Sequence, residues 1–155
     1  MAAMTAQLLA DQLGRDFPAF RYQEAPTFSW SPTTHTITYQ AGADAGHLLH
    51  ELAHAILEHH TYQRDITLID MERQAWEYAA ATLAPRYGIS LTMDDDIVQD
   101  ALDSYRHWLH ARSTCPDCSA VGIEIRKQHY RCLHCNSEWR VNDARNCQLR
   151  RRRKK

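Results

Sequence analysis

Residues 50–54 read His-Glu-Leu-Ala-His, the HExxH pattern, and form the clearest chemical signal in the chain. Side chains four residues apart lie on one face of a helix, so His50 and His54 can bind the same zinc ion. Glu51 would then lie near the metal without binding it, where a general base for a water molecule is needed. We therefore predict a catalytic zinc site with Glu51 as its catalytic residue.

A catalytic zinc ion needs a third protein ligand and an open position for water. His60 has the spacing of the third histidine in HExxHxxGxxH sites, but Leu57 stands where those sites need a glycine. Leucine is a strong helix former, so the helix should continue and carry His60 away from the metal. Glu72 and Glu77, on the next predicted helix, are better candidates. They lie about 140° apart around the helix axis, so only one of them should face the zinc.

Two amphipathic helices and one strand-forming segment must position these ligands. Apolar residues recur at helical spacing over 48–57, and Asp44 is a suitable N-cap for that helix. A second helix is predicted over 70–83, where alanines allow close packing, and Pro85 should end it. Residues 27–39 favour strands, and a Ser-Pro pair within them indicates a hairpin or an edge strand.

Two separated motifs resemble the ImmA/IrrE family of zinc metallopeptidases. The sequence HELAHAILEHH at 50–60 is similar to the family pattern HELGHxxLxH. The sequence ERQAWEYAAATLAP at 72–85 is similar to the family pattern ExxAxxFAAxLLxP. The resemblance extends over residues 25–90, and the chain departs from the family at three positions. Ala53 replaces a glycine, Gln74 replaces a frequent acidic residue, and Trp76 stands where asparagine or aspartate is common.

This resemblance implies a ligand set and a substrate class. By similarity, His50, His54 and Glu72 would bind the catalytic zinc, and Glu51 would be the general base. The implied substrate is a protein, such as a transcriptional repressor or another regulator. By analogy with zinc peptidases, an exposed strand beside the active helix can bind an extended substrate by adding a strand to the sheet.

A second metal site is predicted near the C-terminus. The pairs Cys115-Pro-Asp-Cys118 and Cys132-Leu-His-Cys135 are separated by 13 residues and together supply four thiolates for a tetrahedral zinc ion. With the strand-like residues around them, they resemble a zinc ribbon. Four protein ligands leave no position for water, so this zinc is expected to be structural and to stabilise a small domain. Two disulfides are the alternative. Cys147 is expected to be a free thiol. The alternative is that His134 or Cys147 replaces one of the four cysteine ligands.

Charge is distributed unevenly along the chain. Residues 1–114 hold seven basic and fifteen acidic groups, a net charge of −8, whereas residues 115–155 hold eleven basic and four acidic, a net charge of +7. A basic segment attracts nucleic acid, so we expect nucleic-acid contact through the ribbon and the tail, with base stacking on Tyr130 and Trp139. A solubilising or protein-docking module is the alternative.

These patterns predict an α+β protein with two domains and a tail. Residues 1–112 would form a mainly helical, zincin-like metallopeptidase domain with a small β-hairpin or sheet, including further helices over 1–20 and 92–112. Residues 113–149 would form a small β zinc ribbon, and residues 150–155 a disordered basic tail. The N-terminus lacks the features of a signal peptide and no segment is apolar enough to span a membrane, so a cytoplasmic location is expected.

The predicted function is that of a zinc-dependent endopeptidase with one catalytic and one structural zinc ion. Tyr62, Tyr78 and Tyr105 are candidates for the donor that stabilises the developing oxyanion. One alternative is a non-catalytic, DNA-associated regulatory zinc protein. Another is a DNA-associated metallopeptidase of the SprT-like type, whose third zinc ligand would be His59 or His60.

Overall fold

The computed structural model describes residues 3–145 and 147–154 of the 155-residue chain. Its described residues form helices and two small sheets, which confirms the predicted α+β class. Two compact units are present: the first comprises Met1–His60 and Met71–Val98, and the second comprises Thr61–Asp70 and Gln99–Lys155. The domain limits at 112 and 149 follow composition and stay a prediction. The contacts instead group residues 61–70 and 99–113 with the sheet of the second unit, because the Tyr130 hydroxyl donates to Asp65 and the Trp139 indole N–H donates to the Arg112 carbonyl oxygen.

Helices α1 (Ala6–Asp16) and α2 (Ala45–Ile56) lie in the first unit and pack against each other. The predicted N-cap of α2 is confirmed, since the Asp44 carboxylate accepts a hydrogen bond from the Gly46 N–H at 2.7 Å. The apolar face of α2 is fully buried, with Leu48, Leu49, Leu52 and Ala53 each 0% exposed. Helix α2 therefore provides a rigid, buried support for the side chains of the HExxH segment.

The next helix does not end at Pro85. Helix α3 (Asp65–Tyr78) continues as a π-helical segment (Ala79–Leu83) and a helical turn, α4 (Ala84–Arg86). Proline has no N–H to donate, so the hydrogen-bond pattern changes around it while the chain keeps its helical course. The small residues of this stretch act as predicted: the π-helical segment packs against α2, and Ala75 and Ala79 are fully buried.

Helix α5 (Asp96–Ser113) follows a capped turn. Thr92 and Asp95 form this turn, in which the Thr92 N–H donates to the Asp95 carboxylate at 2.9 Å. The helix itself begins one residue after this turn, at Asp96. No helix in the described part of the chain is both long enough and apolar enough to cross a membrane.

The sheet of the first unit has the strand order β1-β3-β2. Strands β2 (Ser29–Ser31) and β3 (Thr36–Tyr39) pair in antiparallel fashion, as the predicted hairpin requires. Strand β1 (Arg21–Glu24) pairs in parallel with β3 and was missed in the sequence, because its four residues are mostly polar and exposed. Strand β2 lies at an edge of this sheet.

The sheet of the second unit, called the C-terminal sheet below, is antiparallel with the order β4-β5-β6-β7. Its strands are Gly122–Arg126, His129–Cys132, Glu138–Val141 and Arg151–Arg153. Strand β7 lies in the tail expected to be disordered. It is ordered because it pairs with β6, and because Lys154 and Arg153 form ion pairs with Glu138 and Asp117.

The core of the second unit contains the aromatic residues expected to stack on bases. Tyr130 and Trp139 are 2% and 1% exposed and stack on each other at 5.7 Å between ring centroids. Neither ring is accessible to a base, so that expectation was wrong. Gly122 is required beside them, because a Cβ atom there would lie 2.6 Å from both the Arg131 carbonyl oxygen and the Trp139 ring.

Candidate metal centres

His50, His54 and Glu72 converge in the first unit, where α2 faces the helix that carries Glu72. The Nε2 atoms of the two histidines are 3.1 Å apart. The Glu72 carboxylate lies 3.0 Å from Nε2 of His50 and 3.3 Å from Nε2 of His54. All three residues are buried, with 5%, 7% and 7% exposure. Two imidazole nitrogens and a carboxylate that face one another in this way could hold a metal ion.

The electrostatics of this group also favour a cation. Burial lowers the pKa of His50 to about 4, so its imidazole is neutral at physiological pH, the form that binds metals. Burial alone would raise the pKa of Glu72, but its hydrogen bonds with His50 and His54 outweigh this and hold the pKa well below its usual range. Glu72 is therefore an ionised carboxylate whose charge lies beside two imidazoles.

Trp76 fixes the ring of His50. The two rings are stacked with centroids 4.1 Å apart and an interplanar angle of 19°. The buried Nδ1 atom of His50 has no hydrogen-bond partner among the described residues. Trp76 is one of the departures from the ImmA/IrrE pattern, and it lies one helical turn beyond Glu72. Stacking on Trp76 therefore orients this ring together with the contact between its Nε2 atom and Glu72, while Nδ1 adds no hydrogen bond.

His54 is oriented by a hydrogen-bonded chain that the sequence did not reveal. Its Nδ1 atom lies 2.9 Å from Nδ1 of His59, and Nε2 of His59 lies 3.3 Å from Oε1 of Gln74. An amide oxygen can only accept, so His59 carries its proton on Nε2 and accepts from the Nδ1–H of His54. With Nδ1 as the donor, Nε2 of His54 would present its lone pair to a metal ion bound beside His50 and Glu72, in place of its hydrogen bond with Glu72. His59 therefore contacts the far side of His54.

The remaining carboxylates and histidines take other positions. Glu51 is half-buried on α2, directly after His50. Glu77, the competing ligand candidate, is exposed and forms an ion pair with Arg73 at 2.5 Å, on a different face of the helix from Glu72. The prediction that α2 continues past Leu57 was wrong, since α2 ends at Ile56 and Glu58 has a positive φ of 56°. His60 is nevertheless exposed, and it is not part of the convergent group.

The three tyrosines considered as oxyanion donors are dispersed. Tyr78 is half-buried at the end of α3 in the first unit. Tyr62 and Tyr105 belong to the second unit, where Lys127 lies over the Tyr62 ring and the Tyr105 hydroxyl accepts a hydrogen bond from Arg145. Of the three, only Tyr78 therefore belongs to the same unit as His50, His54 and Glu72.

The four cysteines of the two CxxC pairs form the second candidate centre. Sγ of Cys115 lies 3.7 Å from Sγ of Cys135, and Sγ of Cys118 lies 3.5 Å from Sγ of Cys132. All four sulfurs lie within 4.8 Å of one another, so they could hold a metal ion. These distances are too long for disulfides, and all five cysteines are free thiols. Neither His134 nor Cys147 belongs to this group of four.

Local hydrogen bonds favour the thiolate form of Cys132 and Cys135. The N–H groups of Cys135 and His134 point at the Cys132 sulfur at 3.4 and 3.3 Å and lower the pKa of its thiol. Hydrogen bonds with Ser137 lower the pKa of Cys135 to about 6. For Cys118, a hydrogen bond with Ala120 is outweighed by burial and by the neighbouring thiols, which raise its pKa to about 12. A bound dication would stabilise all four cysteines as thiolates despite their mutual repulsion.

The chain was also compared with known protein families, curated proteins and solved structures. No known protein family matches the chain, and no curated protein or solved structure shows significant similarity to it.

Proposed function

We propose that the protein is a zinc-dependent endopeptidase that hydrolyses a peptide bond in a protein substrate. One observation carries this proposal: two buried imidazole nitrogens of α2 and the Glu72 carboxylate of α3 lie within 3.3 Å of one another, and α2 also bears Glu51 next to His50. Two histidines and a glutamate are a donor set of catalytic zinc sites that keep one position for water. The resemblance of both helices to the ImmA/IrrE pattern supports the same assignment.

The residues of this site would have three roles: binding the zinc, positioning the imidazoles and transferring protons. His50, His54 and Glu72 would hold the zinc, which supplies a Lewis acid that polarises the scissile carbonyl and lowers the pKa of water. Trp76 and His59 keep the two imidazoles in position. Glu51 would take the proton of the attacking water and deliver it to the leaving amine, as a general base and then a general acid.

The edge of the first sheet supports an extended protein substrate. Strand β2 contacts α2, and the Trp30 indole N–H in this strand donates to the carbonyl oxygen of His59 at 3.2 Å. An edge strand presents unpaired backbone groups to which an extended peptide can pair. By the family resemblance, we propose a transcriptional repressor or another regulator as the substrate class.

The four-cysteine centre has a different proposed role. Cys115, Cys118, Cys132 and Cys135 would bind a structural zinc ion in a zinc-ribbon fold, because four thiolates leave no open position for a substrate. The core beside them is small, comprising Tyr130, Trp139, Val141 and two of the cysteines, so metal binding would supply part of the folding free energy.

The substitution Glu51→Gln tests the catalytic proposal. The zinc-loaded protein is incubated with a proteome-derived peptide library, and new N-termini are identified by mass spectrometry. Removal of a general base should lower turnover by about 10²–10⁴-fold while zinc content, measured by elemental analysis, stays at the wild-type value. Glu77→Gln is the matched control, because its carboxylate is exposed and paired with Arg73. Equal cleavage by Glu51→Gln and wild type would refute the mechanism, and the absence of cleavage by the zinc-loaded wild type would count against an endopeptidase.

The ligand assignment separates this proposal from the two alternatives. In a SprT-like site the third ligand is a histidine, so His60→Ala should release zinc and Glu72→Ala should not. Our proposal expects the reverse. In a non-catalytic regulatory protein, Glu51→Gln would leave both the zinc content and the biological activity unchanged.

A further inference from the structure

Four basic side chains form a row across the outer face of the C-terminal sheet. In the strand register, Arg126 lies opposite His129, His129 opposite Arg140, and Arg140 opposite Arg152, so each of the four strands contributes one residue. We call these four residues the basic ladder. Neighbouring strands are about 4.8 Å apart, so the ladder extends for about 14 Å. Arg152, which belongs to the basic C-terminal run of the sequence, is thus aligned with three residues from earlier strands.

The alternation of the strands explains why the ladder faces solvent. Tyr130, Trp139 and Val141 point into the core, so His129 and Arg140, which alternate with them, point outward, as does Arg152 opposite Arg140. On the first strand, an irregularity in the register between Glu124 and Arg126 brings Arg126 opposite His129. Arg126, Arg140 and Arg152 are exposed, and His129 is half-buried. All four ladder residues line one shallow groove of about 330 Å³. Arg140 and Arg152 also line a second groove, which contains Arg150.

The arginines of the ladder lack acidic partners among the described residues, whereas their neighbours have them. Arg131 and Lys154 both pair with Glu138, at 3.1 and 3.2 Å. No such ion pair forms with Arg126, Arg140 or Arg152 in the described part of the chain. Arg140 and Arg152 carry like charges on directly opposed strand positions and repel each other. An anionic ligand along this row would relieve that repulsion.

The chemistry of the row favours a phosphate backbone over other anions. Guanidinium groups bind phosphate oxygens with two parallel hydrogen bonds, and three of the four ladder residues are arginines. Each strand of duplex DNA carries a charge every 3.4 Å or so, so a row of about 14 Å faces about four phosphates of one strand. Single-stranded nucleic acid is usually held by stacked aromatic rings, but Tyr130 and Trp139 are buried behind this face.

We propose that the basic ladder, together with Arg150, binds the phosphate backbone of double-stranded nucleic acid without reading its base sequence. The proposal stands on the geometry of the second unit and does not rest on peptidase activity. It gives the second unit a binding function beyond the proposed structural role of its zinc.

The salt dependence of binding to a labelled 20-base-pair DNA duplex tests this proposal. The full-length, zinc-loaded protein is titrated by fluorescence anisotropy over a range of salt concentrations. The triple substitution R126Q/R140Q/R152Q should lower the slope of log K against log salt by about 2.7, since each lost phosphate contact removes about 0.9. At 0.1 M salt, a decrease of about 2.7 in this slope corresponds to an affinity loss of up to about 500-fold. The matched control is R15Q/R73Q/R106Q, which removes the same charge from three helices and should keep the wild-type slope.

A single substitution, two other anionic ligands and the Glu51→Gln variant complete the test of this proposal. If the triple variant loses zinc or folded structure, the single substitution R140Q, in the middle of the ladder, should still lower the slope by about 0.9. Equal slopes for the ladder and control variants would overturn the proposal. Tighter ladder-dependent binding to a 20-nucleotide single strand, or to vesicles of anionic phospholipid, would assign this face to a different partner and overturn it as well. Glu51→Gln should bind the duplex as the wild type does, so failure of the peptidase proposal and failure of this one are distinguishable.

Discussion

The chain from Gln74 through His59 to His54 makes a sharp prediction about metal affinity. His59→Ala removes the group that accepts the His54 Nδ1–H at 2.9 Å. Without it, the imidazole of His54 can rotate or place its proton on Nε2, the atom that faces His50 and Glu72. Loss of such an outer hydrogen bond typically lowers metal affinity 10–100-fold, which corresponds to about 1.4–2.8 kcal/mol.

The assay is a zinc competition titration with a chromogenic chelator. Two zinc ions per chain are expected, and the ion bound by the four cysteines serves as an internal reference because His59 is not one of its ligands. Only the ion held by His50, His54 and Glu72 should bind more weakly in His59→Ala. The matched control is His60→Ala, which removes an exposed imidazole one residue further along the chain. This control should retain the wild-type affinity at both sites.

Two further variants test the tautomer itself. His59→Asn retains a side-chain oxygen that can accept a hydrogen bond and should restore part of the lost affinity. Gln74→Leu removes the acceptor 3.3 Å from His59 Nε2, so it should weaken binding less than His59→Ala does. Wild-type zinc affinity in His59→Ala would refute the reasoning, as would equal losses in His59→Ala and His60→Ala.

Two other predictions concern the second unit. Cys132→Ser should reduce the zinc content from two ions to one and lower the urea midpoint of unfolding, whereas Cys147→Ser, at an exposed thiol outside the four-cysteine group, should change neither. Wild-type zinc content in Cys132→Ser would contradict the assignment of this centre. Burial and the nearby Asp65 raise the pKa of Glu124 to about 7 from 4.5, so its protonated form stabilises the fold at low pH and this contribution is lost as the pH rises through 7. Urea midpoints of Glu124→Gln should therefore fall less steeply than those of wild type between pH 5 and 8, and parallel curves would exclude this effect.

Much of the fold was predictable because its signals are local. The helical spacing of apolar residues and the Asp44 cap predict α2, and strand-forming residues predict the hairpin of β2 and β3. Strand β1 was missed because its polar residues carry no alternating pattern, and it forms by pairing with β3. The continuation of the helix through Pro85 was also missed, because a π-helical segment accommodates the absent N–H.

The candidate sites were likewise predictable only in those features that local sequence patterns encode. The sequence by itself determined the residue types and spacings: two histidines one helical turn apart, a glutamate beside the first, and four cysteines in two pairs. These features depend only on the short-range geometry of helices and turns. They are therefore visible without knowledge of how distant segments pack.

Only the tertiary structure decided which other residues join these groups. The choice of Glu72 over Glu77 depends on which face of one helix packs toward another. The hydrogen bond between His59 and Gln74 joins a residue of the loop after α2 to a residue of α3, and the basic ladder depends on the register of four strands. Contacts between residues distant in sequence are set by packing and strand pairing, which no local pattern encodes.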